Sequence, residues 1–206
     1  DIVIQSNTIY RYITEARLIQ DEYLLNKSAM HAHRVLNKIN YLQRHAKEYV
    51  FLVNQTEISE LMKAANVIVK SSTDYLEISK KLTKTISNRG IGNKSGLSGD
   101  LSKILNILTS HLSKSNFLTI KLLYFEYQNN SLKDNAETSE KRLVKQLQEY
   151  LDFYQDKVAT NELLDQFYQN KHKITARYLK KFMSVLNKLI EEDNKIQNLI
   201  PLMKSK

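Results

Sequence analysis

Ile58-Ser-Glu-Leu61-Met-Lys-Ala-Ala65-Asn-Val-Ile68-Val-Lys-Ser-Ser72-Thr-Asp-Tyr75-Leu-Glu-Ile-Ser79-Lys-Lys-Leu82-Thr-Lys-Thr-Ile86 advances by alternating steps of three and four through Ile58, Leu61, Ala65, Ile68, Ser72, Tyr75, Ser79, Leu82 and Ile86. Such steps put those side chains on one stripe of an α-helix, and their unbroken alternation is that of a bundle seam. The spacing predicts a helix over roughly 57–88, about 45–50 Å long. Thr56 is placed to cap it, with Glu57 at the positive end of its dipole. A seam this long needs partners, and the rest of the chain supplies them.

Upstream, Ile2, Ile9, Ala16 and Tyr23 recur at steps of seven, with Ile13 and Leu24 on the same stripe. They predict a helix over 2–25 that breaks at Asn26-Lys27-Ser28. Val35, Ile39, Leu42, Ala46, Tyr49 and Val53 give a second seam over 29–54, closed by Asn54-Gln-Thr56. Downstream, Ser87–Gly99 holds all four glycines and reads as the midpoint turn. Gly90-Ile-Gly92 and Gly96-Leu-Ser-Gly99 fit no phosphate-loop spacing and follow no strand, so a structural turn is the better reading. Leu97, Leu101, Ile104, Leu108, His111, Ser115, Leu118, Leu122 and Phe125 predict a helix through 97–128. A shorter helix carries Leu143, Leu147, Tyr150 and Tyr154, and a turn is placed near Ala159-Thr-Asn161. Leu164, Phe167, Ile174, Tyr178, Phe182, Val185, Leu189, Ile196 and Leu199 line a last long helix, and Pro201 is expected to end it.

Composition agrees with an all-α chain. Four glycines and one proline in 206 residues are too few for many tight turns. No cysteine is present, which removes disulfides, thiolate metal sites and a cysteine nucleophile. No run of about 18 apolar residues occurs. The net charge of +9 is spread over helix faces among acidic residues, a solvated basic surface and not a nucleic-acid patch. The first residue is Asp1, so the chain is read as a piece cut from something longer, with any membrane segments outside it.

The chain also repeats itself. Arg17-Leu-Ile-Gln-Asp-Glu-Tyr-Leu-Leu-Asn26 returns as Lys121-Leu-Leu-Tyr-Phe-Glu-Tyr-Gln-Asn-Asn130, matching Glu22 to Glu126 and Tyr23 to Tyr127 at an offset of 104. Thr73-Asp-Tyr-Leu76 echoes Ala176-Arg-Tyr-Leu179. Each half then reads as short, short, long. The expected architecture is an elongated six-helix rod of two stacked four-helix-bundle modules that share two long helices, with both termini and the glycine turn at one end.

Arg17-Leu-Ile-Gln-Asp-Glu-Tyr-Leu-Leu25 resembles the Arg-x-x-Glu-Lys-x-Phe-Leu segment of the helical bimodular sensor domains of bacterial chemoreceptors and sensor histidine kinases. Gly96-Leu-Ser-Gly99 resembles the Gly-x-x-Gly that opens their second half. The resemblance covers nearly the whole chain in plan. Lys121-Leu-Leu-Tyr-Phe-Glu-Tyr127 departs from it, keeping a lysine where the family has arginines. It implies one sensor domain over 1–206, with a membrane-proximal module of 1–27, 72–128 and 177–206 and a membrane-distal module of 28–71 and 129–176. It implies a periplasmic location, as part of an inner-membrane protein, between transmembrane helices absent from this piece, and a homodimer in the parent receptor. The partner would be a small polar or anionic molecule or a periplasmic binding protein.

No catalytic or metal constellation is legible, and no cofactor is expected. His31 and His33 point in different directions on a helix, and no His-Glu-x-x-His occurs. The anomaly is polar residues in seams. Ser72, Ser79, His111 and Ser115 stand at apolar positions, with Tyr75 and Tyr178 beside them. They need partners: either neighbours across the bundle or a polar ligand. A second group, Arg17, Tyr23, Lys121, Tyr124 and Tyr127, falls at the joint between modules. Arg17 and Lys121 flank the core edge, where each can hold a carboxylate, pair with Glu22 or Glu126, or snorkel. The candidate ligand-binding residues are therefore Arg17, Tyr23, Tyr75, Ser79, His111, Ser115, Lys121, Tyr124, Tyr127 and Tyr178. The expected function is non-catalytic ligand sensing that transmits signal by helix displacement. The rival is a cytoplasmic or secreted helical-bundle interaction protein with a basic surface.

Overall fold

The computed structural model describes residues 1–91, 94–133, 136–160 and 166–205. Among these the chain is all-helical, with seven helices and no strand: α1 Ile2–Asn26, α2 Ala29–Asn54, α3 Ser59–Arg89, α4 Gly96–Leu108, α5 Lys114–Asn130, α6 Ala136–Thr160 and α7 Gln166–Lys204. Gly92, Asn161 and Leu164, named above, lie outside the described residues. The chain forms two compact units, residues 1–87 with 197–206, and residues 88–196.

In the first unit, α1 and α2 form an antiparallel hairpin. Gln5 reaches Glu48 at 2.9 Å, Lys38 reaches Glu15 at 2.6 Å and Arg34 reaches Glu22 at 3.2 Å, so positions rise on one helix as they fall on the other. The reversal is local chemistry. Lys27 adopts φ +48° and donates its N–H to Tyr23 O, and Ser28 Oγ then accepts from His31 N at 3.2 Å to cap α2. Helix α3 returns along both, with Gln43 donating to Thr73 Oγ1 at 3.0 Å and Tyr75 OH donating to Gln20 Oε1 at 2.5 Å. All six predicted seam residues of α2 are buried, as are Ala65, Ser72, Tyr75, Ser79, Leu82 and Ile86 of α3. Ile58 is exposed, because Thr56 closes back on Val53 O and Glu57 turns left-handed before α3 begins at Ser59. Thr56 is therefore part of the turn and not the cap of α3.

This pairing differs from the expected plan. The expected plan puts residues 1–27 and 28–71 in separate modules, and the structure has α1 and α2 side by side in one unit. The chain ends do not meet in this unit either. Gln5 sits beside His45, whereas Met203 accepts from Ser79 through sulfur at 3.3 Å and borders a cavity with Gln20. Gln5 and Gln20 are about 22 Å apart along α1. Pro201 does not stop α7, which runs on to Lys204 and buries Met203.

In the second unit, α5 and α6 form another hairpin, joined by Arg142 to Glu126 at 2.6 Å. The core gathers Leu101, Ile104, Leu108, Ile120, Leu143, Leu147, Leu179, Phe182, Leu186 and Leu189. The expected single helix over 97–128 is two helices, because residues 109–113 turn and Ser113 Oγ caps a new helix by accepting from Asn116 N at 3.2 Å. The break resets the phase. Ile120, Tyr124 and Tyr127 face the core, and Leu118, Leu122 and Phe125 are exposed.

The repeat is structural in both units. Tyr23 and Tyr127 are each almost wholly buried, and each accepts on its carbonyl the N–H of the residue four later, Lys27 or Ser131. Glu22 and Glu126 each hold an arginine of the following helix. The glutamate thus fastens the first arm of each hairpin to the second, and the tyrosine carbonyl closes the last turn of the first arm.

Candidate functional site

The hairpins consume the glutamates that Arg17 and Lys121 could have paired with. Neither cation makes an ion pair among the described residues, and each borders a cavity. In the first unit, Arg17, Gln20, Asp21, Tyr75, Met203 and Lys204 line a space of about 340 Å³. Arg17 and Tyr75 also border a smaller one of about 120 Å³, beside Ser71 and Ser72 and walled by Ile13, Leu42, Val67 and Ile68. Gln20 and Tyr75 are buried and share one hydrogen bond, with Gln20 Oε1 as acceptor. The Gln20 amide nitrogen has no hydrogen-bond partner among the described residues. Two cations, an amide donor and one carboxylate make a rim for a small polar molecule carrying a carboxylate.

In the second unit, α4 and α5 border a larger space of about 590 Å³. Its lining is Leu105, Leu118, Leu122, Tyr124 and Phe125, with Ser102, Asn106, Lys121 and Gln128. Tyr124 OH accepts from Gln128 at 2.8 Å and its ring meets Phe182 edge-on, 5.7 Å away.

The predicted residues therefore separate. Arg17 and Tyr75 come together, and so do Lys121 and Tyr124. Tyr23 and Tyr127 are core residues, the latter donating to Asp193 at 2.6 Å. Ser79 donates to Met203 and belongs to the first unit, and His111 and Ser115 belong to the second. Ser115 is not a seam residue, since the new phase of α5 exposes it. His111 stacks on Tyr178 with ring centres 5.8 Å apart, and its buried Nδ1 has no hydrogen-bond partner among the described residues. Sequence reasoning missed Gln20, Asp21, Met203 and Lys204. None of the four stood out in the sequence: Gln20 lies beside Ile19, which the seven-residue stripe of α1 does not include and which only the structure shows to be buried.

Burial sets the tyrosine electrostatics. Desolvation raises Tyr75 and Tyr124 to about 12, and Tyr23 and Tyr127 still higher, Tyr127 with added repulsion from Asp193. A phenol whose folded value lies above its unfolded one, about 10, stabilises the fold fully below pH 10 and loses that contribution as pH climbs past it. An alkaline absorbance titration, followed in parallel by circular dichroism, tests this on Tyr23, Tyr75, Tyr124 and Tyr127. The buried ones should ionise only at higher pH, together with loss of helical circular dichroism. One step for all twelve at the ordinary value, with helix intact, would refute this burial pattern.

Among the described residues no group of three or more His, Asp or Glu is placed to hold a metal, and no helix is long and apolar enough to cross a membrane. The chain matches no family model, and no curated protein or solved structure matches it.

Proposed function

We propose that the chain is a non-catalytic ligand-sensing domain, of the extracytoplasmic kind that bacterial chemoreceptors and sensor histidine kinases carry, and that its ligand is a small carboxylate-bearing molecule held at Arg17. The observation that carries this reading is the state of Arg17. Its candidate partner Glu22 is held by Arg34, so the guanidinium is left at the mouth of a cavity with Gln20, Tyr75 and Lys204. Asp21 on the same rim suits an amine, which favours amino-acid-like molecules over simple acids. The two compact units are the two modules of a bimodular sensor in this reading. The module boundaries follow the hairpins, and α7 has residues in both units.

The signal would be a population shift. A ligand bridging Arg17 of α1 and Lys204 of α7 binds only the arrangement in which the last turn of α7 lies against α1. Driving such an equilibrium from 1:99 to 99:1 takes about 5.5 kcal/mol, within reach of two or three charge-assisted hydrogen bonds at about 1.5–3 kcal/mol each. Thermal-shift screening of amino acids, small acids and amines tests the reading. A hit is expected to raise Tm, and Arg17→Gln to abolish that rise while leaving the ligand-free Tm in place. No stabilisation by any compound, or stabilisation that survives Arg17→Gln, would sink it.

The second reading, a helical interaction protein, is favoured by one observation. Val3, Ile4, Leu18 and Leu25 are exposed on α1, opposite its buried Ile9, Ala16 and Tyr23. The gene sequence on either side of these 206 residues tests the choice: apolar segments of about 20 residues there would decide for the receptor, and their absence for the interaction protein.

A further inference from the structure

We infer that the space between α4 and α5 is a binding site for a medium-chain amphiphilic acid, its carboxylate at Lys121 and its aliphatic tail along Leu122 and Phe125. This inference concerns the second unit and stands independently of the Arg17 site.

The phase reset after Ser113 gives α5 two apolar faces. Ile120, Tyr124 and Tyr127 go into the core, and Leu118, Leu122 and Phe125 are left outside it. Leu122 is 68% and Phe125 62% exposed, values unlike those of core residues. These side chains are not scattered. With Leu105 of α4 they line a half-open groove of about 590 Å³, within the range of small-molecule sites. Both an apolar wall and a polar end are present, as an amphiphile requires.

Charge selects the head group. Among the described residues, Lys121 is the one charged residue lining the space, and it makes no ion pair. Its ammonium lies 6.0 Å from the Phe117 ring, so the side chain leans toward the start of α5. Asn106, near the end of α4, lines the same space and makes no side-chain hydrogen bond among the described residues. An ammonium and an amide donor suit a carboxylate and disfavour an amine. At the opposite end Ser102 and Gln128 are engaged within the protein, Ser102 with Ser98 O and Gln128 with Tyr124 OH. These polar groups bound the tail. The span from Lys121 to Gln128 is about 10 Å along α5, the reach of an extended chain of about eight carbons.

Calorimetric titration of the whole chain with octanoate, hexanoate, butanoate, octanol and octylammonium tests the site. Octanoate is expected to bind saturably, one per chain, with affinity falling about fourfold for each methylene removed. Octanol and octylammonium are expected to bind at least tenfold more weakly. Lys121→Glu should lose octanoate and gain octylammonium. Leu122→Asn, at an exposed position that the fold does not use, should weaken both, and Arg17→Gln should change neither. The proposal is overturned by absence of saturable binding, by affinity independent of chain length or head group, or by binding indifferent to Lys121→Glu. It is also overturned if sedimentation shows a dimer that Leu122→Asn dissolves, because a second copy would then cover this face.

Discussion

Asp193→Ala is expected to destabilise the protein by about 3–5 kcal/mol, the cost of leaving a buried charge without its partner. Asp193 is only 3% exposed and uses both carboxylate oxygens: Oδ1 accepts from Arg89 Nε and Oδ2 accepts from Tyr127 OH at 2.6 Å. Arg89, 12% exposed, also donates to Ser131 Oγ at 3.0 Å. Truncation strands the guanidinium and the deeply buried phenol together. The network ties the last residue of α3 to α5 and α7 within one unit, so its loss is not confined to one helix. Urea unfolding followed by circular dichroism measures the effect. Two controls separate charge burial from simple loss of a contact. Glu137→Ala, which breaks a solvent-exposed pair with Lys141, should leave the midpoint unchanged. Arg89→Met with Asp193→Leu should recover much of the loss, because an apolar pair does not demand ionic partners. A loss below about 1 kcal/mol for Asp193→Ala would show that the pair is hydrated and not a structural clasp.

That network also shows what the sequence disclosed and what it hid. The α2 seam was legible to the residue, because a helix without interruption keeps its phase. The all-α class followed from the same periodicity. The α5 face was not legible, because five turn residues shift the phase and only the Ser113 cap reveals where counting restarts. Arg89 and Asp193 could have been found. Arg89 is the next step of the 79, 82, 86 seam, and Asp193 continues the stripe of Leu186, Leu189 and Ile190. Glu191-Glu192-Asp193 reads as a solvated acidic run only if its members are not sorted by helical phase. For the candidate site, the repeat singled out Arg17 and Lys121 but could not say whether their glutamates were free. That depended on Arg34 and Arg142, which meet those glutamates only because each hairpin folds back. Gln20 and Lys204 share a cavity because α7 ends beside α1, a tertiary fact without a local signature.

Gly90→Ala is expected to cost about 3 kcal/mol or more, combining left-handed strain of about 1–2 kcal/mol with a backbone collision. Gly90 has φ +88°, and a Cβ there would stand 1.8 Å from Ser95 O, a backbone atom that no rotamer change can move. The close approach is mutual, since a Cβ on Gly96, at φ +58°, would lie 2.6 Å from both Asn88 O and Gly90 N. The two glycines therefore let the chain leave α3 and enter α4 with backbone packed on backbone. This is the physical content of the glycine-rich stretch that might otherwise invite a phosphate. Arg89, adjacent to Gly90, is fixed in the Asp193 network, and its Nη1 donates to Gly90 O at 3.4 Å. A turn forced open at Gly90 should therefore loosen the ion pair as well, and Gly90→Ala and Asp193→Ala should be markedly non-additive in a double-mutant cycle. Asp100→Ala, on the exposed face of α4 and in a solvent-exposed pair with Lys103, should be close to neutral. Equal unfolding midpoints for Gly90→Ala and the unaltered chain would mean that the turn adopts another path. Strict additivity with Asp193→Ala would mean that turn and clasp are independent.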